Sequence, residues 1–270
     1  MRRKAFLACA LSLSAVASAA VRSSNTFAVF DVSSSSLAHT MIAVPVAGYA
    51  QDGVVSDSRI DHLVSPAGLT AGDMLLAVTN GVSYAAWSLQ PAANGENGAK
   101  EWQPISTVQR LDADKRTSVM ADNDGTGTIG RGHGLWLVRQ DPGAKGAPKG
   151  FSLCGIWTES ATEVTIHGGT VANPYYTILA RPSVSDSLVI NELAWPSDKI
   201  GAKDTLVVPT DSSAGRVYQW DATKRKWYYG QTSVKNGMIS TERVYDLVVP
   251  AGTGFWYVRR AAGDISLTFE

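Results

Sequence analysis

The residues of this chain with the types and spacing to do chemistry are aromatic, and they sit beside turns. Trp220 and Trp227 flank the polar segment Asp221-Ala-Thr-Lys-Arg-Lys226, and Tyr228 and Tyr229 follow directly. Trp87 and Trp102 flank a longer segment rich in Asn, Gly and Ala. Exposed at hairpins, these six rings would form platforms on which sugar rings stack. Buried, they would be packing groups, where each cross-strand aromatic pair stabilises a sheet by roughly 0.2–1 kcal/mol. Packing is the leading reading, because aromatic residues are enriched in strands whatever they bind. Glycan binding through Trp87, Trp102, Trp220, Trp227, Tyr228 and Tyr229 is the alternative.

Other chemistry is weaker. Asp122, Asp124 and Thr126 alternate like the ligands of a calcium loop, with Gly127 at the sixth place, but the closing Glu is replaced by His133. Asp122 and Asp124 are therefore weak metal candidates, no cofactor is expected with calcium as the alternative, and a Gly/Asp loop is the plainer reading. Gly125-Thr-Gly127-Thr-Ile-Gly130 matches a dinucleotide fingerprint in letters, yet lacks the strand before it and the helix after it. His39, His62, His133 and His167 have no metal-binding spacing, and no Gly-x-Ser-x-Gly elbow occurs. No catalytic residue is nominated, and the chain reads as a non-enzyme.

The elements that position the rings repeat. Gly252-Thr-Gly254-Phe255-Trp256-Tyr257-Val258-Arg259 echoes Gly132-His-Gly134-Leu135-Trp136-Leu137-Val138-Arg139, with both glycines, Trp, Val and Arg shared. Gly72-Asp73-Met-Leu-Leu-Ala-Val78 echoes Ala202-Lys-Asp204-Thr-Leu-Val-Val208 across the two aspartates. Each aspartate follows a turn and opens a strand, which suits turn capping. Short apolar runs rich in Val, Leu, Tyr and Trp, broken by Gly, Pro, Asp and Asn, read as strands, and no segment sustains a helical period. These features predict an all-β fold with minor helix, built as two tandem copies of a small β-barrel or β-sandwich-like unit. The expected organisation is a signal peptide over 1–19, a lead-in segment over 20–39, a first β unit over 40–167 and a second over 168–270. In Phe255-Trp256-Tyr257-Val258 successive apolar side chains point to opposite faces, so this strand is expected to be covered on both sides.

The N-terminus has the pattern of an export signal. Arg2, Arg3 and Lys4 precede an apolar stretch from Ala5 to Val16 and an Ala17-Ser18-Ala19 cleavage site. Cleavage there would remove three basic residues and no acidic one, taking the formal charge from +0 to −3. It would also leave Cys154 as the lone cysteine. With 44% apolar and 18% charged residues the chain is globular in composition. Near-neutral charge without a basic stripe argues against nucleic acid as a partner. No transmembrane span is expected in the mature chain, and the expected location is periplasmic, surface or extracellular.

The string Asp204-Thr-Leu206-Val-Val-Pro209, the Trp220 to Tyr229 hairpin and Pro250-Ala-Gly252-Thr-Gly254-Phe-Trp256-Tyr-Val-Arg259 together resemble an uncharacterised family of secreted β-repeat proteins from verrucomicrobial bacteria. The resemblance implies export and a β-rich repeat, and it brings no catalytic residues. The first expectation for function is a secreted or cell-envelope, non-enzymatic protein with a structural or binding role, its partner a glycan or an envelope protein. A glycan-binding protein is the alternative, and a secreted hydrolase the weakest one.

Overall fold

The computed structural model describes residues 26–33, 39–46, 63–78, 81, 84–93, 98–105, 107–112, 115–120, 129–140, 150–157, 160–183, 185–210, 215–235 and 238–270. Its regular structure is nearly all antiparallel β, as the composition of the apolar runs predicts. The first half contains β1 (Thr26–Ser33), β2 (His39–Ala43), β3 (Met74–Val78), β4 (Tyr84–Pro91), β5 (Lys100–Ile105), β6 (Thr107–Asp112), β7 (Lys115–Met120), β8 (Gly134–Val138) and β9 (Gly150–Trp157). The second contains β10 (Thr162–Ile166), β11 (Tyr175–Ala180), β12 (Leu188–Val189), β13 (Thr205–Val208), β14 (Arg216–Asp221), β15 (Lys226–Lys235), β16 (Met238–Val244), β17 (Val248–Val249), β18 (Gly254–Arg259) and β19 (Ile265–Phe269). A 3-10 turn, Ile190–Glu192, is the minor helical element among those described.

A five-stranded sheet runs in the order β2-β8-β3-β4-β5, and a six-stranded sheet runs β11-β18-β13-β14-β15-β16. The sheets thus share an order in which the Gly-x-Gly-x-Trp strand lies between the opening strand and the strand after the aspartate. Each is backed by a two-stranded ribbon, β1–β9 in the first half and β10–β19 in the second. Leu153 and Phe151 of one ribbon close a core around Leu75, Trp87, Leu89 and Leu137. Val164, Leu267 and Phe269 of the other close a core around Leu206, Trp227, Phe255 and Tyr257. The layering is sandwich-like, sheet against ribbon. The segment 26–33 pairs with β9, and β10, which precedes Gly168, pairs with β19.

The recurring aspartates are among the most buried polar groups of the described residues. Asp73 and Asp204 both have no exposed surface. The Thr70 amide donates to Asp73 Oδ2 at 2.8 Å and the Gly201 amide donates to Asp204 Oδ2 at 2.9 Å, which is the turn capping expected of them. Each also reaches the end of its Gly-x-Gly-x-Trp strand: the Gln140 amide donates to Asp73 Oδ1 and the Arg260 amide to Asp204 Oδ1.

The glycines serve the junction of the halves. The Ala43 amide donates to the Gly252 carbonyl and the Ala180 amide to the Gly132 carbonyl, each at 2.8 Å. Bridges Ile42 to Thr253 and His133 to Leu179 complete a reciprocal pattern, as in a two-fold contact between like surfaces. Gly132 and Gly252 take positive φ, +83° and +68°, which L side chains rarely adopt. At Gly134 an added Cβ would lie 2.6 Å from Ile178 Cγ2 and 2.9 Å from the Ile42 carbonyl oxygen.

Two stability predictions result. Gly134→Ala should lose about 1–3 kcal/mol, an overpacking cost, whereas Gly150→Ala, whose new methyl meets nothing within 4 Å, should stay near wild type; urea midpoints compare them. Asp204→Ala should lose about 3–5 kcal/mol, because it leaves the buried Arg259 guanidinium unpaired. A loss under 1 kcal/mol in the same titration would remove this ion pair from its structural role.

Candidate functional site

The four hairpin tryptophans are core residues. Trp87, Trp102, Trp220 and Trp227 are 1%, 7%, 7% and 0% exposed, which removes them from any sugar platform. Trp220 and Trp227 lie directly opposite across β14 and β15, with ring centroids 5.2 Å apart. Trp195 and Tyr257 complete their aromatic cluster at 5.4 and 5.7 Å from Trp227. In the first half Trp102 lies opposite Leu89, and its indole N–H donates to the Val64 carbonyl. Trp87 does not take the place of Trp220, as the hairpin spacing suggests. It lies opposite Leu75, the place held by Tyr218 opposite Leu206 in the second half. Tyr229 packs edge-on to Tyr218 with the Arg216 guanidinium 4.3 Å over its ring. Tyr228 lies on the other face of β15, half-buried.

Strand alternation puts a different set of rings outward. Because Phe255 and Tyr257 face the core, Trp256 faces away from it. Ile178, Trp256, Val207 and Val217 lie in one row across four strands. Met41, Trp136, Leu76, Ala86 and Ile105 form the matching row of the first sheet. The rows meet at the junction of the halves, where the Trp136 and Trp256 centroids are 6.4 Å apart. His39 stands edge-on to Trp136 at 6.2 Å and Tyr176 edge-on to Trp256 at 6.1 Å. Four rings thus form a chain of neighbours that reaches from one sheet to the other. The tryptophans are half-buried, His39 is exposed, and Tyr176 and Val217 are 37% and 51% exposed. The apolar run Phe255-Trp256-Tyr257-Val258 predicts a strand covered on both sides. Val258 is indeed buried, but the Trp256 side of the strand is only partly covered.

A second cluster lies at the hairpin end of the same face of the six-stranded sheet. Asp221, Lys226, Gln219 and Tyr228 face each other in register across β14 and β15. The Thr223 and Lys224 amides donate to Asp221 Oδ1 at 3.0 and 3.1 Å, holding the turn in which Arg225 takes a φ of +52°. Arg243 Nη1 and the Tyr245 hydroxyl both donate to Asp221 Oδ2 at 2.7 Å. Tyr245 is held from behind by Asn191, whose side-chain amide donates to the Trp227 and Tyr245 carbonyls and accepts from the Trp227 amide. No spacing signal in the sequence marks Asn191. The Arg243 guanidinium lies 4.6 Å over the Tyr228 ring and the Lys224 ammonium 4.3 Å over the Tyr245 ring.

Asp122 and Asp124 lie outside the described residues, and among the described residues no group of three or more His, Cys, Asp or Glu could hold a metal ion. No helix among the described residues is long and apolar enough to cross a membrane. No family model, curated protein or solved structure matches the chain.

The hydrogen bond from Tyr245, then those from the Lys224 amide, Arg243 and the Thr223 amide, hold the Asp221 carboxyl at about 2, below its ordinary 3.8. A carboxylate depressed in the folded state stabilises it at pH above the ordinary value, and that contribution is lost as pH falls through the folded value. The hairpin end should therefore stay ordered above pH 4 and loosen as pH falls from about 4 toward 2. A carboxyl NMR titration of Asp221 midway near 2 is expected; a midpoint at or above 3.8 would mean that the four donors do not engage it.

Proposed function

We propose that this chain is an exported, non-enzymatic protein that acts by binding, and that its ligand surface is the open face where Trp136 and Trp256 meet. We read it as two copies of one β unit, joined so that the outward aromatic rings of both form a single row. The observation that carries the binding reading is the run of neighbouring rings His39, Trp136, Trp256, Tyr176, with successive centroids 6.1–6.4 Å apart. Half-buried Trp and Tyr with an apolar body and a polar tip are the groups that dominate binding surfaces, because they bring large area at low entropic cost. The flanking Leu76, Val207 and Val217 extend the apolar strip to both sides.

A glycan is the second reading, favoured by the same run of rings rather than by the hairpin tryptophans. Sugar rings present apolar C–H faces that stack on indole, and a row of rings suits an extended chain. An envelope protein docking on the strip is the other form of the first reading.

Tryptophan fluorescence of the mature protein against a panel of polysaccharides, with acrylamide quenching, tests the site. Binding should protect the half-buried indoles, and Trp256→Ala should weaken it at least tenfold, about 1.4 kcal/mol, with little change in the unfolding midpoint. Trp227→Ala, which empties a core position, should instead lose about 3–5 kcal/mol of stability. Ligand affinity unchanged in Trp256→Ala and in Trp136→Ala would sink the assignment of this face.

A further inference from the structure

The hairpin end of the six-stranded sheet carries a separate site. Asp221, Thr223, Lys224, Glu242, Arg243 and Tyr245 line a shallow depression of about 500 Å³. That volume lies in the range of small-molecule sites, roughly 300–1,000 Å³, and is far more than an ion needs.

The chemistry of the depression is set by which groups are already used. Asp221 accepts four hydrogen bonds, two on each oxygen, and an ionised carboxylate has about four acceptor sites. It is therefore saturated and serves as a pin, not as a ligand-facing acceptor. Its donors are fixed by it. Arg243 gives Nη1 to Asp221 while its side chain stays 57% exposed. Lys224 engages Asp221 through its backbone amide, so its ammonium is left over the Tyr245 ring, in no ion pair among the described residues. Tyr245 gives the depression an aromatic side, with Tyr228 next to it at 5.8 Å between centroids and covered by the Arg243 guanidinium. What it offers a ligand is thus two cationic donor groups beside an aromatic ring and the Thr223 hydroxyl, with the exposed Glu242 carboxylate at the rim.

We propose that this depression binds a carboxylate-bearing sugar, a uronate, with the carboxylate between Arg243 and Lys224 and the sugar ring beside Tyr245. Arg243 presents a planar fork to the carboxylate and Lys224 a point charge. The Tyr245 ring supplies the apolar contact that a free carboxylate does not use. Glu242 opposes the anion and tunes affinity downward. This site is distinct from the Trp136/Trp256 strip, and the two proposals stand or fall separately.

The test is calorimetry and amide NMR on the full chain with three probes: a galacturonate oligomer, a neutral galactose oligomer of the same length, and acetate. The galacturonate oligomer should bind with shifts at Lys224, Arg243 and Tyr245, at least tenfold tighter than either control, and weaken as salt rises. Lys224→Gln should cut affinity about tenfold with an unchanged unfolding midpoint, since its side chain makes no bond the hairpin needs. Arg243→Gln should cut it further, Arg243→Lys should recover part, and Glu242→Gln should raise affinity several-fold. Trp256→Ala should leave this binding unchanged. Equal binding of the neutral oligomer would overturn the role of charge. Equal binding of acetate would overturn the role of the sugar ring. No binding, or Lys224→Gln binding like wild type, would overturn the site.

Discussion

The buried carboxylate of Asp204 is the interaction on which the rest of the second half depends. Arg259 Nη1 donates to its Oδ2 at 2.7 Å and the Tyr257 hydroxyl donates to the same oxygen at 2.9 Å. A buried ion pair repays its desolvation only when the remaining donors and acceptors are also satisfied. Here they are: Arg259 gives its other N–H groups to the carbonyls of Lys199, Ala262 and Gly263, and two backbone amides fill the remaining sites on Asp204. Burial, with Asp204 beside it, pushes the Tyr257 phenol well above its ordinary value, so it stays a donor at any physiological pH. Three stretches of chain are tied in one place: the turn before β13, the end of β18 and the turn before β19. The tie also fixes which way β18 faces. With Tyr257 drawn inward to Asp204, pleating sends Trp256 outward, and a slip of one residue would exchange them.

The junction of the halves turns that orientation into a surface. Gly134 and Gly254 bring β8 and β18 close enough that a Cβ on Gly134 would lie 3.5 Å from the Gly254 Cα. Reciprocal backbone hydrogen bonds on either side hold the approach. Side chains of ordinary size at these glycines would push the sheets apart and separate Trp136 from Trp256. The outward rings are therefore a product of two constraints, the Asp204 pin that aims Trp256 and the glycine contact that places Trp136 and Trp256 side by side.

Much of this was legible in the sequence. The all-β class follows from short β-rich apolar runs, and the turn-capping aspartates from their place between a turn and a strand. The burial of Trp87 and Trp220 was legible only as the leading of two readings, because a residue beside a hairpin faces core or solvent according to register, and register is not written locally. The same blindness hid the offset between Trp87 and Trp220, since the loops they precede differ in length. Trp136 and Trp256 looked interior because an unbroken apolar run implies cover on both faces without saying whether the cover is complete. Asn191 was invisible because its three partners are backbone groups 36 and 54 residues away. β1 and β10 form ribbons with β9 and β19, strands far along the chain, a long-range fact that segment boundaries drawn from turns cannot anticipate.

The two larger sheets share the order of their first five strands and differ at the hairpin end of β14 and β15. Where the second half sets Asp221 opposite Lys226 and Gln219 opposite Tyr228, the first sets Gln90 opposite Glu101 and Ser88 opposite Gln103. The pinning carboxylate becomes an amide, the outward aromatic becomes an amide, and the basic residue becomes an acidic one. Among the described residues neither the stacked cations nor the saturated aspartate has a counterpart there, although the order of the first five strands corresponds. A chemical difference of this size at matched positions is not a requirement of the sheet, which forms without it in the first half. The Asp221, Arg243 and Tyr245 constellation therefore holds the hairpin end of the second sheet without being required for a sheet of this order.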